Sequence, residues 1–143
     1  MTAFEESFAV LREKYFDPLR EHFGLEDERS TPVAPSGFAS VSAAAGSVRV
    51  HFESDRGICS FLAGFRDDER DLCSVETLAG HFPRVRVSHA GLQRLSLDEQ
   101  ATFLRDHWLD LQVMFSPAHA DETRAALAGV GRHQDGGRNS SHR

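Results

Sequence analysis

The residues with the most chemical potential in this sequence lie in one alternating segment, Arg49-Val50-His51-Phe52-Glu53. In an extended strand every second side chain points the same way. Arg49, His51 and Glu53 therefore share one face at steps of about 7 Å, and Val48, Val50 and Phe52 share the other. A fixed cation, a titratable imidazole and a carboxylate in line can bind an anion or a protein partner. The plainer account is a solvated sheet face crossed by salt bridges of small worth. If a helix instead covers the face, the three groups are buried and must pair, because a buried charge without a partner is too costly to keep.

A second constellation is His107 with Asp110 one helical turn later, Asp106 beside them, and His119 able to join from the following segment. Imidazole and carboxylate next to Trp108 can position a ligand or activate a water. The plainer account here is an exposed helix face bearing ordinary charges. None of the 8 histidines falls in an HxH, HxxxH or HExxH pattern, so no metal site is expected. Cys59 and Cys73 form no CxxC pair and are expected as free thiols, Cys59 acting as a small hydrophobe in the run Gly57-Ile58-Cys59-Ser60-Phe61-Leu62. The sequence contains no G-x-S-x-G elbow, no phosphate-binding G-x-x-x-x-G-K and no strand-coupled G-x-G-x-x-G, so no cofactor is expected and catalysis is the weaker expectation.

Charge narrows the partners. The 143 residues carry a net charge of −6. The end of the chain, 129–143, holds Arg132, Arg138 and Arg143 against Asp135, so the remainder is more acidic than the total suggests. Affinity for nucleic acid comes mainly from clustered positive charge, and the only other basic concentration is Arg84, Arg86 and Arg94; nucleic acid is not an expected partner. A basic protein is. No run of about 18 apolar residues offers a membrane span, and Met1-Thr2-Ala3-Phe4-Glu5-Glu6 places acids where a secretory signal carries bases; the expected location is cytoplasmic.

The elements that must position these residues follow from periodicity. Thr2-Ala3-Phe4-Glu5 has the form of a capping box, and Phe4, Phe8, Leu11 and Tyr15 recur at helical spacing. Asp17-Pro18 either kinks this helix or starts a second one ending near Gly24. Glu26 to Gly37 reads as a loop, charged and then rich in Pro and Ser. Period two then predicts strands at 38–44, 47–53 and 58–65. The last is apolar on both faces and so expected at the centre of the sheet, and Ser54-Asp55-Arg56-Gly57 suits a bulged hairpin. After a charged loop at 66–71, Ser74 can cap a short helix, and Arg84-Val85-Arg86-Val87-Ser88 alternates as an edge strand would. Ser96-Leu97-Asp98-Glu99 is a second capping box opening a long helix to Phe115, with Ala101, Leu104, Trp108, Leu111 and Phe115 on its buried face. Ser116-Pro117 starts a last helix to about Leu127.

These readings define an α+β fold: a small antiparallel meander of three or four strands packed by N-terminal and C-terminal amphipathic helices, in one domain at 1–128 followed by a disordered tail at 129–143. The order of elements is similar in outline to that of many small bacterial proteins, including immunity proteins that neutralise toxins. The leading expectation is a non-enzymatic protein-binding module with a basic partner, toxin neutralisation being one form of it. Two alternatives stand beside it: a small-molecule-binding protein or enzyme with its pocket between the sheet and the long C-terminal helix, using His51, Glu53 or His107, and a homodimer formed through exposed apolar sheet surface.

Overall fold

The computed structural model describes residues 3–81 and 95–128. The expected strand at 84–88, the basic trio Arg84, Arg86 and Arg94, the tail at 129–143 and the cap at Thr2 lie outside the described residues. The fold is α+β, built on a five-stranded antiparallel sheet in simple sequential order.

Helix α1 (Ala3–Leu11) runs through one π turn (Arg12–Phe16) into α2 (Asp17–Phe23). Pro18 has no amide hydrogen and crowds the preceding turn. The wider turn, in which the Asp17 amide donates to the Arg12 carbonyl, lets the helix pass it without ending. Gly24 closes α2 in the left-handed conformation (φ 65°), its amide donating to the Arg20 and Glu21 carbonyls.

Strands β2 (Phe38–Ala45), β3 (Val48–Asp55) and β4 (Ile58–Phe65) form the expected meander. The expected loop at Glu26 to Gly37 is a strand in its first half, β1 (Glu26–Thr31), paired with β2. All six of its residues are exposed, so it has no alternation of apolar and polar positions for the sequence to display. A two-residue strand, β5 (Cys73–Ser74), closes the other side. The strand at the centre is therefore β3 and not β4, whose Ile58 end projects into solvent. The β3–β4 hairpin also has no bulge. Asp55 pairs directly with Ile58, and Arg56 and Gly57 both adopt positive φ (53° and 88°), the two-residue geometry that matches strand twist.

Val48, Val50 and Phe52 face the helices together with Ala43 and Val41 of β2 and Phe65, Ala63 and Phe61 of β4. Phe8 stacks on Phe52 with centroids 5.7 Å apart, and Phe16 and Leu19 are fully buried. Helix α3 (Val75–His81) is capped by Ser74, whose hydroxyl accepts from the Thr77 amide. The capping box at Ser96 forms as expected, with Ser96 Oγ taking the Glu99 amide and the Glu99 carboxylate taking the Ser96 amide. The long helix it opens is broken at His107 (φ −113°, ψ 15°) into α4 (Leu97–Asp106) and α5 (Trp108–Met114). The kink accompanies a face-to-face stack of Trp108 on Phe23 at 4.0 Å, which ties the C-terminal helices to the N-terminal ones. A 3-10 turn (Pro117–His119) leads into α6, residues 120–128.

Two glutamines finish the packing. Gln100 Oε1 accepts the Phe61 amide at 2.7 Å, satisfying a β4 donor past the end of the short β5, while its Nε2 donates to the Leu95 carbonyl. Gln112 on α5 clamps the β2–β3 turn, accepting from the Ser47 amide and donating to the Ala45 carbonyl, each at 2.8 Å. The clamp fits only over glycine. A Cβ on Gly46 (φ 57°) would lie 2.2 Å from Gln112 Oε1. No helix among the described residues is long and apolar enough to cross a membrane.

Candidate functional site

The alternation that places Arg49, His51 and Glu53 on one face of β3 is present, but the face is not an open one. Arg49 is fully buried and His51 is 8% exposed. The cover is not a helix but β1 and the 66–72 loop, which supply Asp27 and the Arg66 carbonyl to Arg49. Between Glu26 and Arg29 the β1–β2 register slips, and Asp27 takes positive φ (54°) at the slip. That irregularity turns both the carboxylate and the carbonyl of Asp27 onto Arg49.

The guanidinium is then fully engaged. Nη2 donates to Asp27 Oδ2 at 2.5 Å, Nη1 to the Asp27 carbonyl at 3.0 Å and to Ser42 Oγ at 3.2 Å, and Nε to the Arg66 carbonyl at 2.9 Å. The hydrogen bond from Arg49 holds the Asp27 carboxyl below its ordinary range, against a smaller desolvation effect, with Arg29 adding to it. Arg29 continues the chain of charge outward, pairing with Asp27 at 3.0 Å and with Glu69 at 2.7 Å. Lysine could not replace Arg49 here, because four acceptors spread around the group require the guanidinium fork.

His51 sits between Ser42 of β2 and Leu62 of β4 in register. Burial pushes its pKa down to about 4; Glu69 opposes the shift, while Arg49 and Arg29 reinforce it. At neutral pH the ring is uncharged, and its Nε2 is buried without a hydrogen-bond partner among the described residues. Glu53, flanked by Ser40 and Ser60, is half-buried, and burial with the nearby Asp55 raises its carboxyl pKa. Along this face, then, one charge is tied off, the second is suppressed and the third is partly covered.

His107 and Asp110 do meet, Nδ1 to Oδ2 at 3.5 Å, and the His107 ring packs on Phe103 with centroids 4.7 Å apart. His119 turns instead to Ser116 Oγ at 3.1 Å. Asp110 and His119 nevertheless border one groove, of about 340 Å³, between α5 and α6; its other lining residues include Val113, Met114, Glu122 and Ala126. Leu109 and Val113 stand on this side of α5 at 79% and 56% exposure. The sequence carried a signal for them, since both apolar residues lie off the stripe formed by Ala101, Leu104, Trp108, Leu111 and Phe115. Nothing in the sequence marked Asp27 as the partner of Arg49.

Two hollows elsewhere flank Arg124 of α6, of about 440 and 390 Å³. The Arg124 guanidinium lies 4.1 Å over the Phe65 ring and pairs with Asp68 and Asp71 at 3.5 and 3.2 Å. Cys73, which lines the larger hollow, is a free thiol whose pKa burial and Asp71 raise, so it stays protonated and a weak nucleophile. Among the described residues no group of three or more His, Cys, Asp or Glu side chains is placed to hold a metal ion. No family model, curated protein or solved structure matches the chain.

Proposed function

We propose that this chain is a non-enzymatic protein-binding module for a basic polypeptide. The observation that carries the reading is a set of exposed carboxylates on the C-terminal helices that no Lys or Arg among the described residues pairs with. On the β1 side acids and bases neutralise one another: Arg12 and Arg20 pair with Glu28, Arg29 and Arg49 with Asp27, and Arg66 with Glu26. On the α4–α6 side Asp106, Asp110, Asp121 and Glu122 are all exposed, and no Lys or Arg among the described residues pairs with them. Exposed carboxylates without basic partners accelerate encounter with a cationic surface and repel phosphate backbones. Neutralising a basic toxin is one specific form of this activity.

The test is capture on immobilised protein from an extract of the source cell, followed by mass spectrometry. A polypeptide of net positive charge, retained at low salt and released at high salt, is the expected result. A co-purifying metabolite that raises the melting temperature, with no polypeptide retained, overturns the reading.

A further inference from the structure

We infer that the groove between α5 and α6 is the docking surface of this module and that it takes a basic amphipathic helix; the inference rests on the protein-binding reading above and gives it a site. Its floor is apolar, with Val113 and Met114 from one wall and Ala126 from the other, and Asp110 and Glu122 stand at its edges. Of the polar groups lining it besides the carboxylates, the Thr123 hydroxyl donates to the Met114 carbonyl and His119 Nδ1 meets Ser116 Oγ at 3.1 Å. Leu109, one turn before Val113, extends the apolar strip beyond the groove and is the most exposed large hydrophobic side chain in the described residues. An apolar centre bordered by charge of one sign is the anatomy of a helix-in-groove interface.

The occupant follows from complementarity. Two helices side by side present a channel that a third helix fills, its apolar residues at i and i+4 meeting Leu109 and Val113. Asp110 and Glu122 lack a Lys or Arg partner among the described residues, so the incoming helix must supply cations flanking its apolar strip. Long Lys or Arg stems would lie over Met114 and Ala126 while their charged ends reach the carboxylates. A second copy of this chain is a poor occupant, because an isologous contact sets the same carboxylates against one another.

The probe is a synthetic helical peptide about four turns long, with leucines at i and i+4 flanked by lysine and arginine, and a second peptide with glutamate in place of the basic residues. Titrated into the isotopically labelled full chain, the basic peptide is expected to shift amide resonances of residues 109–114 and 119–126, and to bind roughly tenfold more weakly when salt rises from low to physiological strength. The double variant Asp110→Lys/Glu122→Lys is expected to weaken binding at least about tenfold, and Leu109→Ala about fivefold, both with an unchanged melting temperature. Equal binding of the two peptides, shifts confined to another face, no shifts at all, or concentration-dependent dimerisation lost in Leu109→Ala would each overturn this site. A basic polypeptide captured equally by wild type and by the double variant removes the groove and leaves the binding-module reading standing. Failure of the wild type to capture any basic polypeptide removes both.

Discussion

The face of β3 around Arg49 and the groove between α5 and α6 use the same kinds of side chain to opposite ends. Around Arg49, a cation, carboxylates and a histidine are folded inward until each charge is matched or suppressed, and the polar atom left there without a partner among the described residues, His51 Nε2, is buried away from solvent. At the groove, carboxylates and apolar side chains are left facing water, and no Lys or Arg among the described residues pairs with the carboxylates. A candidate site is therefore better recognised by interactions left unmade than by the residue types that line up in the sequence. The contrast also separates what substitutions should do: changes at Arg49 act on stability, and changes at the groove act on association.

The largest expected effect is at Arg49. Arg49→Met should destabilise the protein by about 3 kcal/mol, measured as a lower denaturation midpoint in urea, because two carbonyls, Ser42 and the Asp27 carboxylate lose their donor together. Arg49→Lys should recover less than half of that loss, since one ammonium cannot span the acceptors. If Arg49→Met left stability unchanged while abolishing capture of a basic polypeptide, the assignment of roles to the two regions would be reversed.

His51 sharpens the same side. Its folded pKa lies below the ordinary value of 6.5, at about 4, so the native state favours the neutral ring. The associated stability is fully present above pH 6.5 and is lost as pH falls towards 4. Denaturation midpoints should drop over that window by the equivalent of about 1–3 kcal/mol, and His51→Gln should flatten the dependence. The Asp27 contribution has the same sign, because its folded pKa is also depressed, but it is lost only as pH falls below the unfolded value near 3.8, so the two windows are separable.

Gly46 tests the clamp between the regions. Gly46→Ala should cost about 1–2 kcal/mol, partly from positive φ and partly because Gln112 must leave the Ser47 amide, and amide exchange at Ser47 should accelerate. The smallest effect on folding belongs to the groove. Asp110→Lys and Leu109→Ala should change stability by less than about 0.5 kcal/mol in thermal melts, as expected for surface positions.

The sequence made legible whatever rested on periodicity or on local chemistry. The three long strands, the Ser96 capping box, the Ser74 cap and the shared face of Arg49, His51 and Glu53 all follow from spacing alone. β1 did not, because Glu26–Thr31 buries no side chain and is held by backbone pairing to β2. The break at His107 was hidden for a related reason: the apolar stripe from Ala101 to Phe115 continues across it, and the kink is set by tertiary contacts such as the Trp108 stack on Phe23. The closure over Arg49 depends on a register slip at Asp27, a long-range property that no local pattern encodes. The exposure of Leu109 and Val113, in contrast, was written in the helix pattern as apolar residues on the wrong side.

The make-up of β1 also bears on the order in which the fold comes apart. A strand with no apolar anchor, joined to the sheet by ladder hydrogen bonds, surface ion pairs and the grip of Arg49 on Asp27, forms the least costly part of the sheet to detach. Its amides should exchange with solvent through a partial opening, well before those of β3 and β4, which require global unfolding. When β1 lifts, Arg49 is uncovered and β2 becomes the sheet's edge, so one short acidic strand governs how often the native protein presents a bare sheet edge to its neighbours.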